Sequence, residues 1–431
     1  MSTAALIEAF THSVVPTYAR FPLAFTRGRG ARLWDAEGRE YLDFGAGIAV
    51  NSLGHAHPAM VEAITRQARE LIHTSNLYYT KSQVRLAERL IELLGSTSLD
   101  LARDKSLTTG GGGKCFFCNS GAEANETLFK LARKFGHDSR RHEIITTVNS
   151  FHGRTLAGIA ATGQDKVKKG FEPPIEGFRH VPFNDLSAMT NAVSEKTAAI
   201  LVEGIQGEGG VHAAGADYLI GLRKLCDEKN LLLFMDSVQC GMFRTGRFQS
   251  YQRILESSPQ SSVLSPQFFL PDAISMAKGI AGGFPMGAVW IRQPFSDLLG
   301  AGSHGTTFGG TPLACSVALA VFDVIKHENL AENARHLGDY LHSYLSTLNS
   351  EHIREVRGLG LMIGIELHEN IPSLKAEGKT AASLFTSKLH EQGLLTIPAG
   401  NQTIRLLPPL NISRSECEEA VEKLGRALEK L

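Results

Sequence analysis

Asp236 ends an apolar run, "LLLFM", and Gln239 follows three residues later. An acid at the end of a buried strand calls for a cation, because stranding one member of a buried pair costs about 3–5 kcal/mol. The plainer alternative is a cap on the turn after the strand. Lys278 stands in the same way after "AISMA" and opens a Gly-rich turn, "KGIAGGFPMG". Burial disfavours a charged ammonium and frees the amine for Schiff-base chemistry. A lysine at a strand end can also snorkel to the surface. "NSGAEANE", residues 119–126, places Ser120, Gly121 and Ala122 where a strand gives way to a helix, so backbone N–H groups and the helix dipole can face an anion. Alternatively it is a helix start capped by Asn119 or Ser120. "GGGGKC" resembles a P-loop, but Thr108 and Cys115 stand where that pattern needs Gly and Ser or Thr, and the stretch precedes a strand.

The elements that must position these residues alternate. Apolar runs "KCFFCN", "EIITTV", "AAILVEG", "LLLFMD", "AISMA" and "GAVWI" are separated by amphipathic stretches such as "GAEANETLFKLARKF" and "ADYLIGLRKLCDEKN". This order predicts an α/β fold with a large, mainly parallel sheet covered by helices. Residues 27–44 predict an antiparallel hairpin turning at "DAEG", and 356–431 mix strands ("GLMIGIEL", "TIRLLPP") with a charged terminal helix. The expected division is therefore an N-terminal segment, 1–75, belonging to a smaller α+β domain, a large domain, 76–325, and the C-terminal part of the small domain, 326–431. Residues 95–114 and 252–270 read as surface loops.

Bulk properties exclude several functions. Lys plus Arg and Asp plus Glu balance at 44 each, so no nucleic-acid or anionic-membrane partner is expected. The first twenty residues carry neither a basic n-region nor a long apolar core, which makes the cytoplasm the expected compartment. Six cysteines in 431 residues are no disulfide framework. Cys115 and Cys118 form a lone CxxC on a strand, where residues three apart face opposite sides, so no metal is expected.

Six motifs occur together and in order: Asn119-Ser-Gly-Ala-Glu-Ala-Asn-Glu126, Ser150-Phe-His-Gly-Arg-Thr155, Ile205-Gln-Gly-Glu-Gly-Gly210, Asp236-Ser-Val-Gln239 with Arg244-Thr-Gly246, Ala277-Lys-Gly279, and His304-Gly-Thr-Thr-Phe-Gly-Gly310. With them the chain resembles the class III, fold-type I pyridoxal-phosphate aminotransferases from about residue 20 to its end. "GIAVNSLGHAHP", residues 47–58, resembles the subgroup that acts on N2-acetyl-L-ornithine.

The resemblance implies pyridoxal 5′-phosphate as cofactor and a role for each motif. Lys278 is expected to bind the cofactor covalently and to move a proton between substrate and cofactor. Gly121 and Ala122 are expected to hold the phosphate, with Thr307 reaching it from a second subunit. Phe151 is expected to stack on the pyridine ring, Gln239 to bond its 3′ oxygen, and Asp236 to pair with its protonated nitrogen. For substrate, Arg154 is expected to hold the α-carboxylate of acetylornithine and the far carboxylate of 2-oxoglutarate. Arg405 is expected to bind the α-carboxylate of glutamate or 2-oxoglutarate, and Glu208 to pair with Arg405 while the distal amine reacts. Thr306 is a further substrate candidate.

The implied reaction moves the δ-amino group of N2-acetyl-L-ornithine to 2-oxoglutarate in arginine biosynthesis, within a homodimer that shares its active sites. Ornithine, succinylornithine, succinyldiaminopimelate and 4-aminobutyrate are alternative donors, since small pocket changes move specificity by only a few kcal/mol. A non-catalytic binding protein on the same fold is the alternative of another class. The family usually has Asp-Glu-Val-Gln where this chain has Asp236-Ser-Val-Gln239, Glu-Pro-Ile-Gln where it has Glu203-Gly-Ile-Gln206, and Thr where Cys240 stands. These departures bear on the support around Asp236.

Overall fold

In the computed structural model, residues 1–95, 112–256, 269–348 and 350–431 are described. The middle of the chain builds one sheet and its two ends build others. Near the N-terminus, β1 (Phe25–Arg29), β2 (Arg32–Asp35) and β3 (Glu40–Asp43) form an antiparallel meander. The expected hairpin is therefore β2–β3, with β1 added at its edge. Next come β4 (Gly113–Cys118), β5 (Glu143–Thr147), β6 (Phe178–Val181) and β7 (Thr197–Glu203). A short ribbon, β8 (Ile205–Gln206) and β9 (His212–Ala213), precedes β10 (Leu232–Asp236), β11 (Ala273–Met276) and β12 (Gly287–Arg292).

The large sheet runs β4-β12-β11-β10-β7-β5-β6. Strands β11, β10, β7, β5 and β6 are parallel, and β12 alone is antiparallel to both its neighbours. Every residue of β7 and β10 is buried, as expected of strands covered on both faces, and each large apolar side chain they bury contributes roughly 1.5–3 kcal/mol. Helix Gly121–Gly136 lies across the sheet, with Ala124, Leu128, Leu131 and Ala132 buried at helical spacing. Since β4 is antiparallel to β12, it runs with the parallel set, and β4, β5, β7, β10 and β11 all end at one edge.

The chain ends meet. Strands β13 (Ile353–Leu359), β14 (Met362–Leu367), β16 (Ile397–Ala399) and β17 (Thr403–Leu406) form a second antiparallel sheet. Strand β15 (Leu394–Leu395) instead joins the N-terminal meander, parallel to β3.

Three local expectations need correction. Strand β6, "FRHV", escapes the apolar-run criterion because Arg179 is exposed and His180 half-buried at the sheet edge. Gly113 and Lys114 belong to β4, and residues 252–256 continue helix Ser250–Glu256. Gly95 ends helix Lys81–Gly95, residues 112, 269 and 270 are outside any helix or strand, and 96–111 and 257–268 lie outside the described residues.

Candidate active site

Asp236 ends β10 and is 3% exposed. Its Oδ2 accepts from Asn125 Nδ2 at 2.7 Å and lies 2.8 Å from His152 Nδ1, while Oδ1 accepts from the Val238 N–H at 3.0 Å. Ser275, at the end of β11, donates its hydroxyl to Asn125 Oδ1 at 2.7 Å. That bond fixes which way the Asn125 amide faces and presents its NH2 to Asp236. Nothing in their residue types alone marks Asn125, His152 or Ser275, although the first two lie inside the quoted motifs.

Ser237 takes no part in this support. Its side chain is buried, its N–H bonds Ser275 O at 3.0 Å, and its hydroxyl has no partner among the described residues. The Arg244 guanidinium is buried with no carboxylate partner among the described residues, donating from Nη1 to the carbonyls of Leu361 and Pro408, and burial pushes its pKa down to about 9. Two other departures touch a common neighbour. A Cβ on Gly204 would sit 2.2 Å from Ser250 Oγ, and that hydroxyl lies 3.1 Å from Cys240 Sγ.

Lys278 follows β11 in a left-handed backbone conformation, φ 47°. For a residue with a Cβ this costs about 1–2 kcal/mol, and such strain collects at functional sites. The next residue is pinned by Ser52 Oγ, which donates to Gly279 O at 3.0 Å. Among the described residues no ion pair involves Lys278. Burial lowers the pKa of its amine to about 8, against the nearby charge of Glu208 and with that of Arg405.

A second cluster lies beside the first. Arg405, on β17, is fully buried; its Nη1 donates to Glu208 Oε1 at 2.9 Å and to Gln239 Oε1 at 2.6 Å. Its Nε and Nη2 are buried with no partner among the described residues. A guanidinium edge left open in this way matches a carboxylate taken in two parallel bonds. Burial pushes the Glu208 carboxyl up, but Arg405, Lys278 and Gln239 together hold it below its ordinary range. Gly207 permits the approach, since a Cβ there would sit 2.0 Å from Gln239 Oε1.

Helix Gly121–Gly136 starts at the same edge, capped by Ser120 Oγ on the Glu123 N–H at 3.2 Å. The first N–H groups of a helix have no partner within it, so those of Gly121 and Ala122 can face an anion. Gly121 touches the Asp236 loop, where a Cβ would meet Val238 Cγ1 at 2.7 Å, and Gly153 approaches Ala122. Phe151 is half-buried, with its N–H 3.3 Å from Glu203 Oε2, and the exposed Arg154 has its guanidinium 5.6 Å from the Phe151 ring centre.

The two threonines are placed differently. Thr306 Oγ1 accepts from Asn119 Nδ2 at 3.1 Å, just before the helix start, while Thr307 is exposed. Asn76 Nδ2 ties this loop to residues 71–80 through the carbonyls of Thr306 and Gly309.

The residues fit pyridoxal 5′-phosphate: an anion cradle at Gly121 and Ala122, an aromatic face at Phe151, an acid held by three donors, and an amine with a depressed pKa. Comparison with known proteins agrees. The aminotransferase class-III family profile matches residues 14–428. An acetylornithine aminotransferase of Nostoc sp. is 44% identical over 98% of this chain and 93% of its own. One of Methanocaldococcus jannaschii is 43% identical over 94% of both chains. Among solved structures, ornithine aminotransferase of Toxoplasma gondii superposes with TM-score 0.87 at 29% identity, covering all of this chain and 96% of that one. Acetylornithine aminotransferase of Elizabethkingia anophelis gives 0.81 at 31% identity, covering both chains fully. A match along almost the whole chain makes this protein a member of the class III aminotransferases.

Proposed function

We propose that this enzyme transfers the δ-amino group of N2-acetyl-L-ornithine to 2-oxoglutarate, giving N-acetyl-L-glutamate 5-semialdehyde and L-glutamate, a step of arginine biosynthesis. The observation that carries the chemistry is the low-pKa Lys278 amine beside Asp236 and the Glu208–Arg405 pair. The choice of donor rests on the relatives above 40% identity that bear the acetylornithine aminotransferase name.

Pyridoxal 5′-phosphate, when bound, supplies an electron sink for charge developing on the substrate carbon. Gly121 and Ala122 would hold its phosphate by backbone N–H groups, Phe151 would cover the ring, and Gln239 would bond the ring oxygen. Asp236 would favour a protonated ring nitrogen. Lys278 would serve as the proton carrier, its free amine taking the proton from the substrate carbon. Arg154 is exposed enough to meet the α-carboxylate of acetylornithine or the far carboxylate of 2-oxoglutarate. Arg405 offers its open edge to the α-carboxylate of glutamate, and Glu208 occupies Arg405 when the distal amine reacts. One pocket thereby serves two substrate orientations.

A homodimer belongs to the same proposal. Leu77, Tyr78, Tyr79 and Phe308 are exposed on segments joined by Asn76, an apolar surface suited to a second copy. In that dimer Thr307 reaches the partner's phosphate site, and Thr306 lies beside it. A cytoplasmic setting suits cysteines that are all free thiols.

Single-turnover loss of the cofactor absorbance with a panel of amines tests the reading. Acetylornithine is expected to react fastest, and Lys278→Ala to abolish turnover. Faster reaction with ornithine by a wide margin overturns the donor and spares the class; full turnover by Lys278→Ala overturns the class.

A further inference from the structure

Two carboxyl groups end adjacent strands in register. Glu203, the last residue of β7, is the parallel partner of Asp236, the last residue of β10, and parallel neighbours stand about 4.8 Å apart with side chains on the same face. Both residues are buried, Glu203 at 6% and Asp236 at 3% exposure. Two carboxyl groups sharing a dry site do not both ionise.

Their surroundings are unequal. Asp236 has three donors at 3.0 Å or less, whereas Glu203 has one hydrogen bond among the described residues, the 3.3 Å contact from the Phe151 N–H. Hydrogen bonds donated to a carboxylate favour its charged form. We propose that Glu203 is carried as a neutral carboxylic acid beside an ionised Asp236, leaving a single negative charge opposite the ring nitrogen, and that it acts as a positioning residue by anchoring the Phe151 backbone.

Among the described residues, the titratable groups around Glu203 are Asp236, Glu208, Lys278 and the Cys240 thiol. Burial first, then the charge of Asp236, raises its carboxyl well above the ordinary range, and Lys278 opposes that rise without reversing it. The donors of Asp236 include an imidazole and an amide whose orientation is itself fixed, so the proton has a defined preference between the two acids. The functional half of the inference rests on Asp236 as counter-ion to the ring nitrogen; the protonation of Glu203 does not.

Infrared spectroscopy of the holoenzyme at neutral pH reads the proton directly. A carbonyl stretch of a protonated carboxylic acid is expected, moving when glutamate side chains are labelled with 13C and vanishing in Glu203→Gln. That variant, a neutral isostere still able to accept from Phe151, is expected to keep wild-type cofactor affinity. Asp236→Asn is expected to lose about tenfold or more. Absence of the band, or a band insensitive to glutamate labelling, overturns the protonation. Loss of affinity in Glu203→Gln as large as in Asp236→Asn shows that charge on Glu203 is required and overturns the proposal. A band that belongs to Glu203 alongside an Asp236→Asn variant of unchanged affinity leaves the neutral acid standing and removes the assigned role of Asp236. If Glu203→Gln does not fold, Glu203→Asp, whose carboxyl lacks the glutamate label, assigns the band: its loss of label sensitivity supports the proposal, and a glutamate-sensitive band that persists overturns it.

Discussion

At the level of single residues, the site is governed by what surrounds each charge. Burial brings the Lys278 amine down to about 8 from the 10.5 of a free lysine, so the free-amine fraction rises through that pH. The rate of cofactor capture by cofactor-stripped protein is therefore expected to climb with pH and level off above about 8; a midpoint near 10.5 in stopped-flow absorbance contradicts the desolvated amine. The departures from the family pattern also become specific. Gly204→Ala drives a methyl into Ser250 and is expected to cost about 1–3 kcal/mol in chemical denaturation. Ser250→Ala in the same chain should recover most of that loss, and a double-mutant cycle measures the coupling. The motif residues were legible in the sequence because their types announce their chemistry. Their supports were not: Asn125, on a helix, and His152, in a loop, meet Asp236, and Ser275, on β11, meets Asn125, only once these separate segments pack side by side.

At the level of elements, the sheet delivers the site by ending five strands at one edge, and turns of unusual conformation finish the placement. Asn230, φ 52°, closes helix Ala216–Lys229 in the left-handed region and feeds β10, the strand that carries Asp236. Asn230→Ala is expected to destabilise the fold by about 1 kcal/mol, since alanine pays the left-handed cost that asparagine partly avoids. Urea titration measures it, and an unchanged midpoint counts against the strain argument. The fully buried strands β7 and β10, apolar along most of their length, could be read from composition alone, because burial on both faces removes any alternation. The direction of β12 could not, since an antiparallel strand inside a parallel sheet has the same apolar composition. Nor could the left-handed run at Ala46, Gly47, Ile48 and Ala49, where only one residue of four is glycine. That run is imposed from outside: Asp43 Oδ1 accepts the Gly45 and Ala46 N–H groups, and Ile48 and Ala49 pack with Cys240, Met362 and Leu407.

At the level of the whole molecule, the chemistry is divided between parts of the chain far apart in sequence. The large sheet carries Lys278 and Asp236, β17 carries Arg405, proposed to take carboxylates, and a second copy is proposed to complete the phosphate site. Leu77→Asp and Tyr79→Asp place charge on the proposed contact and are expected to raise the dimer dissociation constant by about tenfold or more. Sedimentation velocity checks this, and an unaltered dimer in both variants assigns the apolar surface elsewhere. The α/β class was legible because alternating runs leave few arrangements, but the pairing of β3 with β15 was not, because a two-residue strand leaves almost no pattern.

That pairing has a consequence during synthesis. A chain still held by its ribosome has made Lys278 and Asp236 long before Leu394 emerges, so β3 must wait as an open edge for its parallel neighbour. An interrupted translation product then carries an unmatched strand border, a template for aggregation. Arg405 follows Leu394 by 11 residues, so the closure of that border and the arginine proposed to recognise a carboxylate are made in the same short stretch of synthesis.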